Sequence, residues 1–215
     1  MAHALYVGPD MLYTDGMYTI DQKFLDFSVK AYFPKTREVG ERCLADYAGK
    51  WLILFFYPAD FTFVCPTELA DMAKSHAEFE AMNAEILAVS CDTEFTHKAW
   101  LETEQLLKDV QYPMGADHNG KLSSELGIYY EEKGMAQRAV FIIDPDGVLR
   151  AVDIVSDGIG RSAQEIMRKL KALEYVMSHP EQVCPMDWEE TGTITKGIEK
   201  AGKVYEELQS SSDAR

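Results

Sequence analysis

The stretch Trp51-Leu52-Ile53-Leu54-Phe55-Phe56-Tyr57, followed at once by Pro58-Ala59-Asp60-Phe61-Thr62-Phe63-Val64-Cys65-Pro66-Thr67-Glu68, decides how this chain is read. An unbroken apolar run of this length suits a strand covered on both faces of a sheet. A loop then delivers one cysteine to the start of a helix. Pro66 is pre-set for a first helical position, and apolar residues at Leu69, Met72, Ala73, Phe79 and Met82 recur at three and four. A thiol at a helix N-terminus faces free N–H groups and the positive end of the macrodipole, which favour the nucleophilic thiolate. The layout suits a cysteine that attacks something.

Outward from this segment, the 215 residues are enough for one domain with a sizeable core. The formal net charge of −15 argues against nucleic acid and against an anionic membrane surface, since both need a basic face. Met1-Ala2-His3-Ala4-Leu5-Tyr6 has neither the charged nor the apolar region of a signal peptide. A cytoplasmic setting is therefore expected, in which the four cysteines are buried or catalytic rather than a disulfide scaffold. No two of them have C-x-x-C spacing, and the histidines do not cluster with them, so neither a metal nor another cofactor is expected.

Strands are expected at Trp51–Tyr57 and Ala84–Ser90, with a short one at Val110–Met114 and a hairpin of Arg138–Asp144 with Val148–Val155 around Pro145-Asp146-Gly147. Helices are expected from Pro66 to Met82, over Thr93–Leu107 with Asp92 or Thr93 as cap, over Ser162–Ser178, and from about Thr195 to Gln209. The pattern reads as an α/β chain, a mixed sheet with helices on both faces, of the thioredoxin-like fold with a C-terminal extension. Residues 1–20 read as an irregular arm, 21–179 as the domain, and 180–215 as the extension, with a disordered tail after Gln209.

Four stretches then match one family. Pro58, Thr62 and Cys65 reproduce its P-x-x-x-T-x-x-C signature, and Val64-Cys65-Pro66-Thr67-Glu68-Leu69 the form found in two-cysteine members. Ser90-Cys91-Asp92-Thr93-Glu94-Phe95-Thr96-His97-Lys98-Ala99-Trp100 and Arg138-Ala139-Val140-Phe141-Ile142-Ile143-Asp144-Pro145 follow in order. Val183-Cys184-Pro185 and Trp188 close the match. Over roughly residues 35–190 the chain resembles the typical two-cysteine peroxiredoxins of the AhpC/TSA family. Ile20–Phe27 lacks the glycine and Ala-Pro that usually open the family's domain. The Gly-Gly-x-Gly insert and C-terminal Tyr-Phe pair of overoxidation-sensitive members are missing too, which is similar to the robust bacterial alkyl hydroperoxide reductase C branch.

The resemblance implies a thiol peroxidase acting on hydrogen peroxide and organic hydroperoxides. Cys65 is the expected nucleophile, with a thiolate in line with the O–O bond. Thr62 is expected to donate its hydroxyl to the peroxide, Pro58 to shield the pocket, and Arg138 to polarise sulfur and substrate. Glu68, one turn after Cys65, is expected to hold Arg138, and Arg161 is similar to a second arginine of the family's site. Cys184, in a proline-flanked segment, is the expected resolving thiol, supplied by the other subunit. The implied partners are thioredoxin or a flavoprotein disulfide reductase as electron donor, and further copies of the chain as a homodimer, with a ring of five dimers beyond it.

Cys43 and Cys91 read as structural, as do His97 and Trp100, at helical spacing in core or interface positions. A thioredoxin-like disulfide oxidoreductase is excluded by Glu68 standing where C-x-x-C needs a second cysteine. A redox-dependent chaperone or peroxide relay using the same cysteine is the remaining alternative.

Overall fold

The apolar run at Trp51 forms the centre of a sheet because it can bury both of its faces: every residue of β3 (Trp51–Phe56) is buried. The computed structural model describes residues 18–198 and 201–205. The chain divides into two compact units, Met1–Gly160 and Arg161–Arg215.

The first unit holds β1 (Ser28–Phe33), β2 (Glu38–Cys43), β3, α1 (Cys65–Lys74), α2 (His76–Ala81), β4 (Ala84–Ser90), α3 (Glu94–Thr103), β5 (Met114–Ala116), α4 (Lys121–Glu125), β6 (Tyr129–Tyr130), β7 (Met135–Ala136), β8 (Arg138–Ile143) and β9 (Leu149–Val155). Seven of these strands make one mixed sheet in the order β2-β1-β5-β4-β3-β8-β9. Beside β3 lie β4, parallel, and β8, antiparallel. Strand alternation sends Leu52, Leu54 and Phe56 with Leu87, Val89 and Phe141 to one face, under Leu122 of α4, Leu126 just after it, and Phe24 and Phe27. Ile53, Phe55, Ile86 and Ala88 alternate with them and are as fully buried. α2 lies against β4, and α3 against β1 and β5.

The β8–β9 hairpin forms as expected. Its turn is held by Asp144, whose Oδ1 accepts from the N–H groups of Asp146 and Val148, and Gly147 supplies the left-handed φ of +74°. Other boundaries move. The helix expected from Pro66 to Met82 begins at Cys65 and breaks at Ser75, whose φ and ψ of −90° and 1° leave the helical region. The helix expected over Thr93–Leu107 is capped by Thr93, which accepts from Thr96 N, but stops at Thr103; Glu104 turns extended and caps a short 3-10 turn, Gln105–Leu107. The strand expected at Val110–Met114 starts only at Met114.

The second unit holds α5 (Ala163–Ser178), β10 (Gln182–Val183) and β11 (Ile194–Thr195). Ser162 caps α5 by accepting from Gln164 N, and Ala163, Ile166, Met167 and Leu170 are its buried stripe. Tyr175 stacks on His179 at 4.1 Å and packs against Trp188, while its hydroxyl donates to Gln182 Oε1. Thr195 does not open a helix: it pairs in β11 against Gln182. Residues 204–205 are helical. The rest of the expected arm and tail, residues 1–17, 199–200 and 206–215, lies outside the described residues.

Candidate active site

Where β3 ends, the chain turns through residues 57–64 and enters α1 with Cys65 as its first residue. Val64 accepts from Thr67 N and Glu68 N, and Pro66 in the first turn removes a donor that the helix start would leave unsatisfied. Cys65 is 0% exposed.

The sheet brings the charge. The register Phe56↔Ala139 sets Arg138, the first residue of β8, just beyond the end of β3, beside the loop that leads to Cys65. Its guanidinium reaches three acceptors: Nη1 donates to Cys65 Sγ at 3.4 Å and to Glu68 Oε2 at 2.7 Å, and Nε donates to Asp157 O at 2.7 Å. Burial works against the charge of Arg138, but the hydrogen bond to the sulfur and the Glu68 carboxylate outweigh it and hold its pKa above the ordinary arginine value. A sulfur anion here meets a fixed cation in a setting with little water to screen it.

Pro58 is buried at the head of the loop. Thr62 is half-buried, and its hydroxyl donates to Ala59 O at 2.8 Å. That proton is therefore committed, and Thr62 offers lone pairs where the sequence suggested a donor. Phe61 between them takes a left-handed φ of +55°, folding the loop back so that Ala59 and Thr62 meet.

The structure thus brings Cys65, Glu68 and Arg138 together and puts Pro58 and Thr62 on the loop before them. Arg161 and Cys184 belong to the second unit. Arg161 is buried beside the Ser162 cap. Cys184 is half-buried after β10, and its thiol donates to Ala172 O at 3.8 Å. Burial pushes the Cys184 thiol up, against the pull of the Arg168 charge. In a Cys65→Ser variant, Cys184 therefore alkylates more slowly than free cysteine at neutral pH, and its rate keeps rising after that of free cysteine has levelled. Iodoacetamide labelling read by peptide mass checks this; labelling at neutral pH as fast as free cysteine contradicts it.

All four cysteines are unpaired. Cys91 lies 3.7 Å from Ser123 Oγ, and burial raises its pKa. Two pairings, one at the site and one in the interior beside its loop, are not legible in the sequence. Asp157 binds Arg138 because Arg138 pairs with Val155 across β8 and β9, which sets the residues after Val155 at the guanidinium. Asp60 and His97 are joined in the interior at 2.8 Å. Among the described residues there is no cluster of His, Cys, Asp or Glu able to hold a metal ion.

The profile of the AhpC/TSA family matches residues 20–152. The chain is 41% identical over 189 residues to alkyl hydroperoxide reductase C of Staphylococcus epidermidis, covering 87% of this chain and 100% of that one. The same figures hold for alkyl hydroperoxide reductase C of Escherichia coli K12. Among solved structures, Enterococcus faecalis AhpC superposes with a TM-score of 0.74 at 44% identity, covering 79% of this chain and 100% of that one. The reduced 2-Cys peroxiredoxin of Plasmodium vivax gives 0.78 at 28% identity, covering 85% and 94%. A family profile that spans more than half of the chain, with relatives 41% identical and matched over their whole length, places the chain: it belongs to the AhpC/TSA family of peroxiredoxins.

Proposed function

We propose that this chain reduces hydrogen peroxide and alkyl hydroperoxides at Cys65 and is recycled through Cys184. The observation that carries the reading is the Arg138 guanidinium bound to both Cys65 Sγ and Glu68. The Cys65 thiolate attacks the near peroxide oxygen; an S–O bond forms as the O–O bond breaks, and the alkoxide or hydroxide leaves and takes up a proton. Sulfur is oxidised by two electrons to a sulfenic acid. Arg138 stabilises the charge as it passes from sulfur to the leaving oxygen, and Thr62 Oγ1 accepts from the hydroperoxide O–H. Pro58 keeps water out, and Glu68 holds Arg138.

Cys184 of a partner subunit, carried on the arm of residues 180–215, then attacks the sulfenic sulfur, releasing water and forming a disulfide. Thioredoxin or a flavoprotein disulfide reductase returns two electrons. Two features support self-association. β9 is an edge strand of the main sheet. Phe61, Phe63 and Phe95 expose 58%, 93% and 68% of their surfaces around the loop and α3. A dimer that builds into a ring of five dimers fits both. Unpaired thiols suit the cytoplasm, and no helix among the described residues is long and apolar enough to cross a membrane.

A disulfide needs Cα atoms about 4.4–6.8 Å apart, which a fully buried Cys65 cannot offer to another chain, so the first turn of α1 opens in each cycle. One equivalent of hydrogen peroxide followed by a non-reducing denaturing gel tests the cycle. The wild type runs at dimer mass, Cys65→Ser and Cys184→Ser stay monomeric, and the oxidised sample exchanges its amides faster over residues 65–69. A wild type that stays monomeric removes Cys184 from its role.

A further inference from the structure

The interior holds a hydrogen-bonded Asp60–His97 pair to which the peroxide chemistry described above gives no role. Tyr57, Asp60 and His97 are 0%, 6% and 0% exposed. His97 Nε2 faces Gly115 O at 3.0 Å and Nδ1 faces Asp60 Oδ2 at 2.8 Å. A carbonyl oxygen only accepts, so Nε2 carries a proton, and a further proton lies between Nδ1 and the carboxylate. The other carboxylate oxygen accepts from Tyr57 OH at 2.7 Å. Burial, reinforced by the Asp60 charge, raises the Tyr57 pKa well above its ordinary value, so this hydroxyl stays a donor. The backbone N–H of Asp60 donates to Asp92 Oδ2 at 2.8 Å, and Asp92 is held in turn by Ser90 Oγ.

Asp60 is therefore tied to the ends of β3 and β4, to α3, and through His97 to β5. It also stands midway between Pro58 and Thr62. The carbonyl that receives the Thr62 proton belongs to Ala59, the residue before Asp60. Trp100, one turn after His97, packs against the rings of Tyr57 and Phe61 on the same loop.

We infer that His97 is a positioning residue for peroxide reduction: through Asp60 it fixes the Ala59 carbonyl, and so aims the Thr62 hydroxyl that receives the hydroperoxide. This rests on the role given to Thr62 above. It separates two properties of Cys65. Attack on peroxide depends on Thr62, whereas attack on an electrophile that makes no contact with Thr62 does not.

The test compares single-turnover oxidation of Cys65 by hydrogen peroxide with its alkylation by iodoacetamide, in the full chain. Removing one buried hydrogen bond to a carboxyl group corresponds to roughly a 10- to 100-fold loss. His97→Leu therefore slows oxidation by that factor and leaves alkylation within about two-fold. In a Thr62→Val background His97→Leu changes the peroxide rate by less than about two-fold, because residues acting through one another are not additive. Asp60→Ala reproduces the loss and decides the matter if His97→Leu does not fold; Asp60→Asn, whose amide can donate to Nδ1, keeps most of the rate.

A wild-type peroxide rate in His97→Leu, losses that multiply fully with Thr62→Val, or an equal fall in alkylation each overturn the inference. A normal peroxide rate in Thr62→Val instead removes the role of Thr62 itself, and the inference with it. A slow Thr62→Val beside a normal His97→Leu sinks the inference alone.

Discussion

Replacing Cys65 with serine abolishes peroxide reduction, with a loss on the order of 10⁴-fold or more in kcat/KM and no change in fold. The substitution keeps the size and the helix position while removing the one atom that can take an oxygen from a peroxide and hold it as a sulfenic acid. A serine hydroxyl is barely ionised near neutrality, and no amount of help from Arg138 supplies the missing thiolate. Cys65 is fully buried at the first position of α1, so the near-isosteric oxygen should fit. Peroxide consumption with an excess of dithiol reductant measures the loss, and circular dichroism establishes that the fold is kept. Residual turnover within ten-fold of wild type would move the chemistry to another thiol.

Replacing Arg138 with methionine has the second largest effect, and it acts twice. Peroxide reduction loses the cation that faces both the sulfur and the leaving oxygen, about 10²–10³-fold. The fold loses a cation held at 2.7 Å from a carboxylate with only 1% of its side chain exposed, a destabilisation of about 3 kcal/mol. These two consequences can be pulled apart. Adding Glu68→Leu to Arg138→Met removes the buried charge and recovers most of the stability, because a buried pair replaced whole costs far less than one broken. It does not recover the rate. Urea unfolding beside stopped-flow oxidation reads both quantities. A double variant as active as the wild type would show that Arg138 serves only to neutralise Glu68.

What could be read from the sequence follows how local the signal is. β3, the loop and Cys65 were legible because they are contiguous and strongly patterned, and the β8–β9 hairpin because Pro145-Asp146-Gly147 is a turn with a mechanism. The hairpin of β1 and β2 was not seen. β2, Glu-Val-Gly-Glu-Arg-Cys, is the charged edge of the sheet and has neither a buried run nor alternation to announce it. The break at Ser75 was hidden because Phe79 and Met82 continue the helical spacing across it; the apolar period reports a buried face, not an unbroken helix. β5 is three residues long and contains Gly115, too little for a pattern.

The site divides the same way. Pro58, Thr62, Cys65 and Glu68 share one stretch of chain, while Arg138 owes its assignment to the resemblance and its placement to the register of β8 on β3. Asp157 depends on a second register, that of β9 on β8. His97 was legible as a buried helical position but not as the partner of Asp60, since only folding brings α3 against the loop.

Trapping the first product identifies the thiol that takes the oxygen. Reduced Cys184→Ser protein is mixed with one equivalent of hydrogen peroxide in the presence of dimedone, and the adduct is located by peptide mass. With the resolving thiol gone, the sulfenic acid persists long enough to be captured. One adduct per chain is expected, on Cys65, and none when Arg138→Met slows the oxidation below the time of the trap. An adduct on Cys43 or Cys91 with Cys65 left as a free thiol would contradict it.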